Sequence, residues 1–294
     1  MVVTGREGQV ARSLAERASG SGFEILCLGR PELELAGPAD AIAKSIEAAA
    51  PDVLVSAAAY TLVDKAESEP ELAFAINAEG PRALARTARE LGIPLVHLST
   101  DYVFDGTKNA PYVETDSPRP GGVYGASKLA GEETVLAEHR NSAVLRTAWV
   151  YSPFGANFVK TMLRLAADRD EIGVVADQRG NPTSALNIAD GLLRVATNLC
   201  GGSNPDQRGI FHMTAEGEAS WAEFAEAIFA LSAELGGPAA RVKPIGTADY
   251  PTPARRPANS RLDSSKLAAA HGVRLPEWRQ SLKQVVGRLV EASG

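Results

Sequence analysis

The sequence predicts an α/β protein, a doubly wound parallel sheet with a smaller second domain, and three observations carry the prediction of the sheet. Short β-rich runs alternate with Ala-rich amphipathic stretches through the first half of the chain, which is the pattern of βαβ units. Each run is continuously apolar rather than alternating, as expected of strands covered by helices on both faces. The first run opens onto a glycine turn, Thr4-Gly5-Arg6-Glu7-Gly8-Gln9-Val10-Ala11, at the first βα junction, where a Rossmann-like fold places its dinucleotide loop.

The elements follow in order. Val2 and Val3 form a strand leading into Gly5, and residues 10–18 form a helix. A strand over 23–28, a helix over 39–49 and a strand over 53–57 come next. Residues 70–91 read as one or two helices, 95–99 as a strand, 127–138 as a helix and 143–146 as a strand. After Trp149 the pattern loosens into a Gly/Pro/Asn segment, a helix over 157–167, a strand over 172–175 and the loop 180–183. A helix over 188–199, the loop 201–209, a strand over 210–213, a helix over 221–235 and a Pro/Arg-rich stretch over 250–257 complete the reading.

Composition narrows the function. The 30 Lys+Arg and 36 Asp+Glu leave a net charge of −6, too acidic overall for affinity built on neutralising nucleic-acid phosphates, so no nucleic-acid partner is expected. With 45% hydrophobic and 22% charged residues, and no internal repeat, the chain is neither disordered nor a solenoid. Its two cysteines, Cys27 and Cys200, stand outside any C-x-x-C pair. They supply neither a disulfide framework nor a thiolate cage, which fits a reducing cytoplasm. No apolar run reaches about 18 residues and no cleavable signal is evident, so no membrane is expected.

The glycine turn lets backbone N–H groups and a positive helix end approach a pyrophosphate, with Gly5, Gly8 and Ala11 at the positions of close approach. A plain strand-to-helix turn would read the same way. NAD sites usually end the second strand in Asp or Glu for the ribose 2′-OH, whereas this one ends in Gly29-Arg30. A cation there suits a 2′-phosphate, so NADPH is expected ahead of NADH, with a solvated loop arginine as the alternative.

Tyr124 and Lys128 stand four residues apart, one turn from each other on a helix face. A phenol of pKa about 10 is a poor acid or base at neutral pH, and an adjacent ammonium is expected to lower that value by stabilising the phenolate. Tyr124 would protonate a carbonyl oxygen as hydride reaches the carbon, and Lys128 would also hold the ribose. Ser99-Thr100-Asp101 falls at the carboxyl end of a strand, the edge where open α/β sheets bind ligands, and Thr100 would donate to the same carbonyl. Read alone, it is a turn capping the next segment. His97 lies in an apolar strand and reads as a core residue. His139, His212 and His271 lack partners at metal-ligand spacing, so no metal site is expected.

Taken together, Gly5-x-x-Gly8-x-x-Ala11, Thr100 and Tyr124-x-x-x-Lys128 resemble an extended short-chain dehydrogenase/reductase. Three segments are similar to those of the dTDP-4-dehydrorhamnose reductase family: Ala57-Ala58-Ala59-Tyr60-Thr61-x-Val63-Asp64-x-Ala66-Glu67, the run from Ser99 to Gly106, and the run from Val123 to Glu132. So are Arg146-Thr147-x-Trp149-Val150-Tyr151, Asn157-Phe158, Asp177-Gln178-x-Gly180-x-Pro182-Thr183 and the stretch from Tyr250 to Pro257.

The resemblance implies an NAD(P)-binding domain over 1–149 and about 183–205, with a sugar-nucleotide-binding domain over about 150–182 and 206–294. It implies NADPH-dependent reduction of the C4 ketone of dTDP-4-dehydro-6-deoxy-L-mannose to dTDP-L-rhamnose, the last step of dTDP-rhamnose synthesis. Thr100, Tyr124 and Lys128 are the catalytic set it implies. Gly8, Gln9 and Val10 would meet the cofactor pyrophosphate, Ala58, Ala59 and Tyr60 its ribose and nicotinamide side, and Glu34 and Leu35 its adenine. Thr61, Val63, Asp101, Trp149 and Asn157 would serve the deoxysugar, and Arg255 or Arg256 the diphosphate, which needs cationic or N–H partners.

Some members of the family use a carboxylate-lined magnesium site between subunits. The corresponding stretches Ser184-Ala185-Leu186-Asn187 and Val286-Gly287-Arg288-Leu289 hold no acid, which leaves magnesium and metal-dependent dimerisation in doubt and both monomer and homodimer open. Two other readings stand beside the first. One is reduction of another nucleotide-linked 4-ketosugar, since the ring face presented depends on sub-ångström placement. The other is an NADP-binding regulatory subunit that keeps the fold without turnover.

Overall fold

The apolar runs of the first half become buried parallel strands, and one run from the second half joins them. In the computed structural model, which describes residues 1–292, the first half folds as β1 (Val2–Thr4), α1 (Gln9–Arg17), β2 (Leu26–Leu28), α2 (Ala39–Ala48), β3 (Leu54–Ser56), α3 (Val63–Ala66) and α4 (Pro70–Phe74). A π-helical turn (Ala75–Glu79), α5 (Gly80–Glu90), β4 (Leu95–Thr100), α6 (Val123–Glu138) and β5 (Ser142–Thr147) follow. The second half gives β6 (Val150–Tyr151), α7 (Phe158–Ala166), β7 (Glu171–Val175), β8 (Arg179–Gly180), β9 (Thr183–Ser184), α8 (Ala185–Cys200) and β10 (Gly209–His212). It ends with β11 (Ala215–Glu216), β12 (Ala219–Ser220), α9 (Trp221–Glu234), β13 (Arg241–Ile245), α10 (Ser265–His271), β14 (Leu275–Glu277) and α11 (Trp278–Glu291).

Six strands form one sheet in the order β10-β5-β4-β3-β1-β2, every neighbouring pair parallel. Successive side chains on these strands enter different cores, which is why the runs are continuously apolar. Val3, Val55, Val96 and Leu145 pack with Leu14 of α1 and Ile188 and Leu192 of α8. Val2, Leu54, Leu95 and Val144 pack on the other face with Ile42 and Ile46 of α2, Leu84 of α5 and Val135 of α6. The chain builds β2 on one side of β1 and returns to build β3 on the other. That reversal opens a crevice beyond the carboxyl ends of β1 and β3, the position where such sheets bind ligands.

A separate core joins α7, β7, α9 and α11 through Ile172, Val174, Phe224, Ile228, Trp278 and Leu282. A capping box formed by Ser220 and Glu223 starts α9. The structure corrects the sequence reading in two places and selects one of its two alternatives in a third. β10 falls in the stretch assigned to the smaller domain, yet it is an edge strand of the large sheet, paired with β5 over four residues. The loop 180–183 contains the ends of two short strands, β8 and β9. Residues 70–90 are one helical run carrying a π turn.

The helix placed by sequence at 127–138 begins four residues earlier, at Val123, because its cap arrives from elsewhere in the chain. Glu67 Oε1 accepts the Val123 N–H at 2.9 Å, a carboxylate at a helix N-terminus. Close approach then fixes α6 along its length. A Cβ on Gly125 would lie 2.2 Å from the Tyr102 carbonyl oxygen, and one on Gly131 would lie 2.1 Å from that of Asn77 in the π turn. The Asn77 side chain accepts the Tyr60 N–H at 2.8 Å and donates to the Tyr60 carbonyl and Ser127 Oγ, at 3.1 and 3.0 Å. Gly131→Ala must therefore push α6 off the π turn. Denaturant unfolding is expected to show a loss of about 1–3 kcal/mol, the usual cost of overpacking, and an unchanged midpoint would mean that the helix has room to yield.

Candidate active site

Beyond the carboxyl ends of β1, β3 and β4 lies a cavity of about 890 Å³ that runs from Arg30 to Lys128. Its floor is set by the glycine turn. Gly5 has φ +95°, a conformation that favours glycine, and its N–H donates to the Leu28 carbonyl at 2.6 Å. Thr4 Oγ1 accepts from the Ala57 and Ala58 N–H groups, both at 3.0 Å, and so holds the loop after β3 against the turn. Gly8 is the N-cap of α1 and makes no side-chain cap. A Cβ there would find no heavy atom within 4 Å, so backbone can be approached closely. Gln9, Val10, Ala58, Ala59 and Thr61 line the same cavity.

At the far end, Arg30, Glu34 and Leu35 line the wall. The Arg30 side chain is 81% exposed, with Nε 3.7 Å from Glu34 Oε2. Arg6 stands beside it, paired with Glu32 at 2.9 Å. The sequence reading passed over Arg6. A cation between the two glycines of the turn is the signal that marks it.

Two predicted contacts fall elsewhere. Tyr60 is buried away from the cavity, packs with Ala66 and Ala73, and donates its hydroxyl to Glu69 Oε2 at 2.7 Å. Asn157, expected at the deoxysugar, caps α7 and donates to Gln9 Oε1 and the carbonyls of Ser152 and Phe154, at 3.1, 2.9 and 3.2 Å. Ser152 Oγ also donates to Gln9 Oε1 at 2.8 Å. Gln9 and Asn157 therefore tie the glycine turn to the 152–157 segment, whose Gly155 and Ala156 reach the cavity wall.

Tyr124 and Lys128 meet the opposite end of the cavity from the first two turns of α6. Thr100 acts on the Tyr124 phenol in the sense that favours its ionised form, and the Tyr102 ring stands edge-on to the Tyr124 ring at 5.4 Å. Thr100 also donates to Asp101 Oδ1 at 3.0 Å. Asp101 is buried, and desolvation pushes its carboxyl up to about 6.

The expected effect of Lys128 on the phenol is absent from the influences that act on Tyr124. Tyr124 is pushed up to about 12 by desolvation, with the Asp101 charge adding to the rise and Thr100 opposing it. Lys128 Nζ is turned to the Leu98 carbonyl at 2.7 Å, so its charge is engaged away from the phenol. Burial lowers Lys128 itself to about 8.

On the other side of Tyr124 a small hollow is lined by Val63, Tyr102, Gly121 and Arg255. It leads to a cavity of about 700 Å³ whose cations include Lys108, Arg179, Arg255, Arg256 and Arg261. The sequence left Arg255 and Arg256 unresolved. Arg256 donates to Asp64 Oδ2 at 2.7 Å, whereas Arg255 is exposed and has no ion pair or hydrogen bond among the described residues. Trp149 has φ +49°, costly for a bulky residue, and its ring stacks on Trp221 at 3.6 Å and lies against Gly180. Among the described residues no group of three or more His, Cys, Asp or Glu is placed to hold a metal ion. No helix among them is long and apolar enough to cross a membrane.

A glycine turn at a sheet switch point, facing a tyrosine and a lysine one turn apart, defines an oxidoreductase of the short-chain dehydrogenase/reductase type. The chain belongs to the family described as RmlD substrate binding domain, whose model matches residues 1–291. A dTDP-4-dehydrorhamnose reductase from Sinorhizobium fredii is 52% identical over 290 residues, 99% of this chain and 97% of the relative. The crystal structure of a dTDP-4-dehydrorhamnose reductase from Clostridium acetobutylicum matches with a TM-score of 0.91 at 37% identity, over 98% of both chains. Another, from Bacillus anthracis in complex with NADP, matches with a TM-score of 0.89 at 33% identity over 97% of both.

The raised Tyr124 value is open to direct measurement. Near-ultraviolet difference spectra of the protein against Tyr124→Phe are expected to show that phenol ionising at about 12, not near the ordinary 10.0. Ionisation below 10.0 would restore the lysine-activated phenolate.

Proposed function

We propose that this protein reduces the C4 ketone of dTDP-4-dehydro-6-deoxy-L-mannose with NADPH, giving dTDP-L-rhamnose. The observation that carries the reading is the position of Tyr124. It stands between the dinucleotide-sized cavity and a hollow that leads past Arg255 to a cationic cavity. A cofactor and a sugar diphosphate approaching from opposite sides would meet at its phenol. The unit built on the six-stranded sheet, with β10 included, is assigned to the cofactor, and the unit around α7, α9 and α11 to the sugar nucleotide. Free Cys27 and Cys200 suit a cytoplasmic setting.

The residues present fit a nicotinamide dinucleotide. Gly5 and Gly8 allow close backbone approach, and the N–H groups of Gln9 and Val10 at the start of α1 would hold the pyrophosphate. Arg30, with Arg6 beside it, would take the 2′-phosphate, Glu34 and Leu35 would border the adenine, and Ala58 and Ala59 the ribose. Tyr60 would support that wall from behind. When bound, the cofactor supplies hydride to the ketone carbon. Tyr124, neutral throughout the physiological range, donates its proton to the ketone oxygen, and Thr100 orients the phenol. The Lys128 ammonium keeps donors for the ribose hydroxyls. Thr61, Val63, Asp101 and Trp149 are assigned to the deoxysugar side. Arg255 is assigned to the diphosphate, with Arg256 holding the loop through Asp64.

Purified protein given NADPH and the ketosugar generated in situ is expected to oxidise NADPH and yield dTDP-L-rhamnose on product analysis. Tyr124→Phe is expected to lower turnover by about 10² to 10⁴, and near-normal turnover would remove Tyr124 from the proton step. Arg30→Ala is expected to raise KM for NADPH about tenfold or more, through loss of a charge-assisted contact, and to leave KM for NADH little changed. Equal losses for the two cofactors would displace the 2′-phosphate from Arg30.

A further inference from the structure

His97 is the buried titratable group that the proposed reaction leaves unused. It lies in β4 with no exposure, its Nδ1 3.0 Å from Ser56 Oγ and its Nε2 3.5 Å from Lys128 Nζ. An ammonium has donors only, so the imidazole nitrogen facing it must be the one with the free lone pair. The tautomer follows: Nδ1–H donates to the Ser56 hydroxyl, at the end of β3 and directly before the Ala57 to Ala59 wall of the cavity. Desolvation and the neighbouring ammonium together hold the ring neutral, with its pKa well below the ordinary histidine range. A hydrogen bond accepted from a charged lysine favours the charged form. It also directs the second of the three ammonium protons, after the one given to the Leu98 carbonyl, and leaves the third for the cavity.

We propose that His97 is a positioning residue for Lys128: its neutral imidazole keeps Nζ protonated and aimed at the cavity, and Ser56 holds the ring in the tautomer that can do so. The functional meaning of that position rests on the reading of Lys128 as the cofactor-holding lysine. The other charge acting on Nζ is Glu132 on the same helix, which favours the ammonium and is itself tied to Arg146 of β5. The π turn packed against α6 brings the uncharged Asn77 to Ser127. Without the Nε2 acceptor, a desolvated ammonium gives up its proton at lower pH.

Asparagine places its amide at the depth of Nδ1 and glutamine at the depth of Nε2. His97→Asn therefore keeps a partner for Ser56 and loses the acceptor for Lys128, whereas His97→Gln keeps the acceptor. The first readout is carbon-13 NMR titration of the lysine Cε signals in the cofactor-free protein, with Lys128 assigned by the signal lost in Lys128→Arg. The Lys128 midpoint is expected to fall by about one pH unit in His97→Asn and to stay within a few tenths in His97→Gln. The second readout is kcat/KM against pH. Its alkaline limb is expected to move down with the midpoint, giving about a fivefold loss for His97→Asn near pH 8 and less than about twofold for His97→Gln.

An unchanged Lys128 midpoint in folded His97→Asn overturns the proposal, and so does a His97→Gln midpoint displaced as far as that of His97→Asn. If His97→Asn does not fold, Ser56→Ala serves instead. It releases the tautomer and is expected to lower the midpoint by a smaller amount, and no shift there overturns the proposal. Failure of the unaltered protein to reduce the ketosugar counts against the proposed function alone, because the NMR titration uses neither cofactor nor substrate.

Discussion

The ion pair between Glu132 and Arg146 is the interaction on which the geometry of the site depends. Both side chains are 1% exposed. Glu132 Oε1 accepts from Arg146 Nε at 2.9 Å and from the Ser99 hydroxyl, while Oε2 accepts from Arg146 Nη2 at 2.6 Å. The guanidinium also lies over the Phe104 ring at 5.0 Å. Such a pair gains little over well-packed apolar residues, yet losing one partner strands a buried charge at a cost of about 3–5 kcal/mol. Its effect is therefore on orientation. Tyr124, Lys128 and Glu132 are spaced four apart and form one stripe on α6. Once the carboxylate must face Arg146 of β5 and Ser99 of β4, the rotation of the helix is set, and the lysine and tyrosine are carried to the cavity.

The positions that flank this stripe on α6 are fixed by shape rather than charge. Gly131 lets the Asn77 carbonyl of the π turn come to a distance no Cβ tolerates, and Gly125 does the same for the Tyr102 carbonyl. A π turn inserts an extra residue into a helix and is often found at functional sites. Here it presents Asn77 so that one side chain satisfies both backbone groups of Tyr60 and the Ser127 hydroxyl. The loop after β3, which bears the Ala58 and Ala59 wall, is thereby locked to the helix that bears Tyr124. One side chain thus holds both walls of the cavity in fixed relation, which is the pre-organisation that transfer between two bound molecules requires.

What the sequence made legible is what local pattern determines. Continuous apolar runs, the glycine turn and the Tyr124 to Lys128 spacing each depend on residues close together in the chain, and each appears where expected. What it concealed depends on distant partners. The start of α6 needs Glu67, and the orientation of Lys128 needs the Leu98 carbonyl. Tyr60 looked like a cavity residue in a motif and is drawn off by Glu69. Asn157 is drawn off by Gln9, 148 positions earlier. β10 is too short and too weakly patterned to reveal that its partner is β5. Arg255 and Arg256 are adjacent in sequence and alike in chemistry, and only Asp64 tells them apart.

The environment of Tyr124 bears on the direction of the chemistry. A phenol that must act as a base needs its anion populated, and raising its pKa from 10.0 to about 12 makes that anion about a hundredfold scarcer at any given pH. The same shift leaves a proton donor fully charged with its proton. Desolvation, with the nearby Asp101 adding to it, outweighs Thr100, which favours the phenolate, and Lys128 is held toward Leu98. An arrangement that disfavours the base and keeps the acid protonated is suited to adding a proton to an oxygen, which is what reduction of a ketone asks of the protein.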